Sequence, residues 1–476
     1  VTDSTDTNTT TSARKKRLLV VGVVLLGILG SVPFWGQGLW IDFCQQRAEK
    51  NLLAREPEQA LAWIASAERF EADNPRTTLL KARALRKAHD VEGAYAALKQ
   101  YFELAGATPA FQQEQWLLKA QVGDNSDLQA HLSEILIEPE GSIQDICETY
   151  VNSCILNYQF DDALQILQLW EADFPTDPLP NFMRGKMYEH NLAWKEAGTE
   201  YETALRKDPG YAPAAYSLGR IQLTLKKTEA ALEYYQRAVD NTDQPGPAQV
   251  GVARCLRLLD RNAEAKALLA QVLKEEPETL QKAYQALGDH KATALSAPQQ
   301  EMAKLELADK NYEAALKWLE PAAEANPLDL GIKNSLVLVY SRLGRKEEAR
   351  ELGQVVKKTN EVLAEIPKLL DRVQETPGDA ELRFEIGRKY LKYVSEEQGV
   401  VWLNSVLAYQ PDHWSAHREL ANYYERNLSR GPSFERLARL HRERARELAP
   451  RQQNSSTMKQ EEQAQPAGEP VESSQP

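Results

Sequence analysis

The amino-acid sequence predicts an all-α fold, a solenoid of helix–turn–helix units behind an N-terminal transmembrane helix. Three observations predict it. Small residues recur every 34 positions at Ala163, Ala197, Ala231 and Ala265. Each opens an apolar pattern that reaches a helix breaker twelve residues on, at Pro175, Pro209, Asp243 and Pro277. Near the N-terminus, four consecutive basic residues, Arg14 to Arg17, precede a run without charge that lasts until Asp42. A fixed period of this length marks an array of paired helices. An ordinary amphipathic helix carries only its 3.6-residue period and no 34-residue phase.

Taken in order, residues 1–17 form a basic tail with little to bury and are expected to be disordered. Residues 18–41 are expected to form a signal-anchor helix. Its strongly apolar part, Leu18–Trp35, is long enough to cover roughly 27 Å as a helix, close to a bilayer's hydrocarbon core. Trp35 and Trp40 fall where an interfacial aromatic belt would sit. A cleaved signal peptide is the alternative for Leu18–Val32, but Pro33, Phe34 and Trp35 make poor cleavage neighbours. The basic cluster ahead of the span places the N-terminus in the cytoplasm. All that follows Asp42 is then periplasmic or otherwise extracytoplasmic, in a single-pass, bacterial-type topology.

Anchoring each unit on the small residue opening its second helix gives Ala60, Ala94, Gln129, Ala163, Ala197, Ala231 and Ala265. After a longer step come Ala315 and Ala349, and after another, Gly399. Residues 42–277 thus hold units 1–7, and residues 278–450 hold units 8–11 with two insertions. The first insertion, about 278–295, reads as one amphipathic helix through Leu280, Tyr284 and Leu287. The second, about 357–379, carries Val362, Ile366, Leu369 and Val373 at helical spacing, with Pro367 expected to kink or restart the helix. Both are read as helical spacers, or alternatively as hinges or side-docking helices that divide the array into blocks. Arg436–Arg446 reads as a charged capping helix, and 451–476 as a disordered tail rich in Gln, Glu, Ser and Pro.

The residues resemble the tetratricopeptide repeat family, over about Ile41 to Pro450. The best matched unit is Pro178–Tyr211, with Ala197, Tyr201, Ala204 and Pro209 in the family's small–aromatic–small–proline order. Leu218 with Gly219, and Gly185 with Tyr188, supply the large–small and small–aromatic steps of first helices. Departures are the loss of the favoured early tryptophan, replaced by Asn181, Ala215 and Gln249, and Pro321 inside a second helix, where a kink is expected. The resemblance implies a right-handed α-solenoid of about eleven units whose first helices line a concave groove for peptides or partner helices. It also implies a non-catalytic protein-binding scaffold.

In that frame the fifth and ninth residues of each first helix face the groove, four apart and so on one helix face. They give Phe182 and Tyr216, and Asn152, Lys186, Arg220, Arg254 and Lys304, with Arg257 at the twelfth position. Phe182, Lys186, Tyr216, Arg220, Arg254, Arg257 and Lys304 are therefore the expected peptide-binding set, a basic ladder with two aromatics suited to acidic segments. The plainer reading is that solvated first-helix positions are often Lys or Arg in any such array.

Composition closes off other functions. With 42% hydrophobic and 26% charged residues, 476 residues make a globular chain beyond one ordinary domain. A net charge of −12 argues against a nucleic-acid partner. The four cysteines include no CxxC spacing, and Cys147 and Cys154 read as small core residues. His413 and His417 have the i, i+4 spacing of metal ligands but lack a third ligand, and read as surface histidines. No phosphate loop, nucleophile elbow or haem motif is present, so no catalytic residue, cofactor or metal is expected. Two further functions stay open: a translocon- or envelope-assembly-associated chaperone-like factor, and a cytoplasm-facing membrane regulator of envelope biogenesis.

Overall fold

The computed structural model describes residues 37–449, apart from 123, 158, 191–192, 290–292, 377, 429–433 and 436. The expected tails and nearly all of the expected membrane helix over 18–41 lie outside the described residues. Among the described residues, no helix is long and apolar enough to cross a membrane, and every regular element is helical.

The chain divides into two compact units. The first runs to Lys119 and includes Ala130–Ile143. Its helices pair as α1 (37–53) with α2 (Pro57–Glu68) and α3 (Pro75–Lys87) with α4 (Val91–Ala105). Helices α5 (Pro109–Gln121) and α6 (Ser126–Ile137) fall across the division.

The second unit comprises Ala120–Gln129 and the chain from Gln144 on. It begins with α7 (Ile143–Leu156) and α8 (Phe160–Asp173), then α9 (Leu179–His190) and α10 (Trp194–Lys207). Next come α11 (Ala212–Thr224) with α12 (Thr228–Asp240), and α13 (Gly246–Leu258) with α14 (Asn262–Val272). Helix α15 (Pro277–Ala286) stands alone. Pairing resumes with α16 (Thr293–Ala308) and α17 (Tyr312–Ala325), then α18 (Leu330–Arg342) and α19 (Lys346–Glu375). It ends with α20 (Ala380–Tyr393) and α21 (Glu396–Tyr409), and α22 (Trp414–Arg426) and α23 (437–449).

The 34-residue period is a packing rule. Ala163, Ala197, Ala231, Ala265 and Ala315 open second helices and are fully buried. Gly185 and Gly219 in the first helices face rings of the second: a Cβ would meet Tyr201 at 2.5 Å and Tyr235 at 2.8 Å. The glycine lets a first helix lie directly on the tyrosine, which fills the space a side chain would take. The turns repeat as well. Arg55, His89, Lys226, Asp260 and Lys310 have φ of 59° to 61°, and Gly344 has 77°, each at the end of a first helix. This left-handed residue turns the chain toward the second helix.

Three expectations need correction. In the third unit the buried position is Leu128, not Gln129, which is exposed. The pattern therefore keeps its 34-residue step from Ala94, and the extra residue falls later. Pro277 does not end α14, which stops at Val272; it starts α15, at the first position, where a missing N–H costs nothing. In the second insertion the helix does not restart at Pro367. Helix α19 runs through Pro367, as α17 runs through Pro321. Val362, Ile366, Leu369 and Val373 are all buried, and that stripe offsets the hydrogen bond lost at the proline.

Leu369 and Val373 pack with Leu382, Ile386 and Trp402, against Phe160 at the start of α8. Beside them the buried Arg383 guanidinium donates to the Asn157 carbonyl at 2.8 Å and to Ser405 Oγ at 3.2 Å. It lies over the rings of Trp402 and Tyr409, at 5.7 and 4.6 Å. Residues more than two hundred positions apart are thereby joined within the second unit.

His413 and His417 are buried rather than on the surface. His413 caps α22, its Nδ1 accepting from the Ala416 amide at 3.1 Å. His417 places Nε2 2.9 Å from the Pro411 carbonyl and Nδ1 2.9 Å from Nδ1 of His441. A carbonyl only accepts, so His417 carries its proton on Nε2, and His441 donates to the bare Nδ1. Burial and the neighbouring His417 push His441 down to about 4, and burial also lowers His417. The unfolded chain therefore takes up protons first as pH falls, and stability at this end is lost between about pH 6.5 and 4. The expected loss is at most about 3 kcal/mol for His441. Hydrogen exchange in α22 and α23 should quicken across that window, and a His441→Phe variant should flatten the dependence.

Candidate functional site

The first helices α9, α11, α13 and α16 carry the seven residues singled out in the sequence, and the structure sorts them into two groups. In the first group, Phe182 and Tyr216 are buried. Phe182 packs on Tyr201 and Tyr211 at 5.4 and 5.5 Å, and Tyr216 on Tyr235 at 5.7 Å. Lys186 lies 5.9 Å from the Phe182 ring. Burial draws its ammonium pKa down against the opposing pull of Glu189 and Glu148.

Arg220 is already matched. It pairs with Glu189 and stands 3.6 Å from Asp289, which also accepts from the Tyr216 hydroxyl at 3.1 Å. Burial alone would lower its pKa, but Glu189 and Asp289 outweigh it and raise it. Two cations here face three carboxylates, Glu148, Glu189 and Asp289.

The second group is different. Arg254 Nε, Arg257 Nε and Lys304 Nζ lie 2.8, 3.0 and 2.8 Å from the carboxylate of Glu301. Glu301 is 1% exposed, while the three cations are only partly buried. Burial would raise the Glu301 carboxyl, but Arg254, Lys304 and Arg257 together hold it down at about 2. One buried carboxylate thus gathers three positive groups whose outer parts reach solvent. The hydrogen bonds run through Nε of both arginines, so Glu301 does not engage the two-nitrogen ends of their forks. Such ends are suited to bidentate recognition of carboxylates.

Sequence reasoning missed Glu189, Asp289 and Glu301. Glu301 could have been found, lying one helical turn before Lys304. Asp289 could not, because it comes from the insertion, where the repeat frame has no position for it. Among the described residues no group of three or more His, Cys, Asp and Glu could hold a metal ion. The four cysteines are buried, and burial pushes Cys147, Cys154 and Cys255 up to about 12, leaving little thiolate for chemistry.

The family model of the tetratricopeptide repeat matches residues 190–245 and 301–360. Those two stretches carry tetratricopeptide repeats. Repeats of this kind mediate protein–protein interaction and form a scaffold that is generally non-catalytic. A stretch of 98 residues is 34% identical to cellulose synthase operon protein C of Komagataeibacter xylinus, covering 21% of this chain and 7% of that protein. Among solved structures, YrrB, a tetratricopeptide protein with an unusual peptide-binding site, is 20% identical. The match covers 43% of this chain and 97% of that one, with a TM-score of 0.31. The APC/C hetero-tetramer Cut9–Hcn1 is 14% identical over 85% of this chain and 81% of that one, with a TM-score of 0.36.

Proposed function

We propose that this protein is a non-catalytic interaction scaffold whose tetratricopeptide repeats take acidic peptide segments of partner proteins on the first-helix face. The observation that carries this reading is the convergence of Arg254, Arg257 and Lys304 on the single buried carboxylate of Glu301. Three cations around one anion leave a local surplus of two positive charges on a chain whose net charge is −12. A partner carboxylate would complete the neutralisation with charge-assisted hydrogen bonds. Arg220 and Tyr216, by contrast, already have Glu189 and Asp289 as partners.

The scaffold is tethered to the cell membrane by the apolar run Leu18–Trp35, with the repeats on the extracytoplasmic side; the basic cluster Arg14–Arg17 supports that orientation. A reporter fused to the C-terminus should be active in the periplasm, and activity in the cytoplasm instead would reverse the topology. The likeness to the cellulose synthase operon protein reaches too little of that protein to bring its role here.

Reversing charge with Arg254→Glu and Arg257→Glu should weaken binding of a labelled deca-glutamate peptide by about 100-fold, from two lost charge-assisted bonds. Fluorescence anisotropy measures it, and binding to the native chain should also weaken as salt rises. Equal affinity for native and reversed chains would sink the acidic-ligand reading.

A further inference from the structure

We propose that residues 277–289 occupy, in cis, a second binding site on the first-helix face, one that takes a partner segment with an aromatic residue and a carboxylate spaced as Tyr284 and Asp289 are. The inference rests on the reading of this face as the partner surface and adds a distinct site to it.

The inserted helix α15 lacks a second helix of its own and packs against α13 and α16, both first helices. Its contacts reach further. Asp289 accepts from Tyr216 and pairs with Arg220, 73 and 69 positions earlier in the chain. Tyr284 sits edge-on to Tyr216 at 6.5 Å. Gly288, with φ of 75°, backs onto the Phe182 ring, where a Cβ would meet Cζ at 2.8 Å. These contacts fall on Phe182, Tyr216 and Arg220, on the successive first helices α9 and α11.

The occupant therefore displays the chemistry that the site accepts. An aromatic ring packs against Tyr216, a glycine turn passes the Phe182 ring, and a carboxylate receives the Tyr216 hydroxyl and faces Arg220. Being tethered, it competes at a high effective concentration, and a partner gains the site only in the fraction of molecules where the segment has left. The partner is thus a protein segment of the same pattern, selected against weaker acidic sequences by the need to displace the tethered one.

The test uses a labelled peptide of residues 277–289, Ac-PETLQKAYQALGD, and a scrambled peptide of equal composition. The full chain carrying Tyr284→Ala and Asp289→Ala, checked by circular dichroism, should bind the native-order peptide at least tenfold more tightly than the unaltered chain. Adding Arg220→Gln should remove the gain. Equal binding of native and scrambled peptides, or no gain in the opened chain, overturns the proposal. Deca-glutamate binding at Arg254 and Arg257 reports the first site independently in the same samples. Should the opened chain fail to fold, hydrogen exchange on the unaltered chain decides: millimolar native-order peptide should quicken exchange over 280–287. Exchange unaltered by the peptide overturns the proposal equally.

Discussion

Replacing Glu301 with glutamine is expected to destabilise the second unit by about 3 kcal/mol or more and, in the same molecule, to tighten acidic-peptide binding. The two effects have one cause. Glu301 is the buried anion against which Arg254, Arg257 and Lys304 rest. Removing one partner of a buried ion cluster leaves uncompensated charge, which costs about 3–5 kcal/mol. The same three cations then have a vacancy that a peptide carboxylate can fill. Urea unfolding reads the first effect and peptide titration the second. The pH dependence has a defined sign. The Glu301 carboxyl sits at about 2, below its ordinary range, because the three cations overcome the effect of burial. Its stabilisation is complete above the usual carboxylate range and disappears as pH falls toward 2. A variant that lost stability without any gain in peptide affinity would confine Glu301 to a structural role.

Gly251→Val should cost about 3 kcal/mol by overpacking. The Tyr235 ring lies between two first helices: a Cβ on Gly251 of α13 would meet it at 2.5 Å, and one on Gly219 of α11 at 2.8 Å. Tyr235 is itself buried and cannot swing aside. The control is Gly353 in α19, where a Cβ would meet nothing within 4 Å. Gly353→Ala should raise stability by about 0.5–1 kcal/mol, the usual gain for glycine to alanine within a helix. Thermal unfolding of the two variants, side by side, separates the packing rule from a general intolerance of substitution.

Much of the fold was legible because the repeat is a steric rule written in residue size. Ala197, Tyr201 and Gly185 have to be small, aromatic and small wherever two helices cross this closely. The left-handed turns were hidden, since Arg55, His89, Lys226, Asp260 and Lys310 occupy positions that glycine usually marks. Pro321 and Pro367 do not end their helices: α17 and α19 continue through them, and a buried apolar stripe accompanies Pro367.

The site was half legible. The 34-residue phase put Lys186, Arg220 and Arg254 in register as cations, and Lys304 followed them after the longer step across the first insertion. It could not show which of them already had partners. Asp289 lies in an insertion outside the phase and reaches Arg220 only through tertiary packing. His417 was misplaced because α23, read as a solvated charged cap, turns His441 in against it, and His413 because it caps α22 beside the Phe384 ring.

On the proposed function, Arg254, Arg257 and Lys304 form an open anion-accepting point on the first-helix face. The most direct measurement couples a bound acidic peptide to the protein with a zero-length carbodiimide and maps the amide links by mass spectrometry. A peptide-dependent link is expected at Lys304, beyond any Glu301 link formed without peptide, and none at an exposed lysine such as Lys99. Links scattered over exposed lysines, with Lys304 unmodified by the peptide, would contradict it.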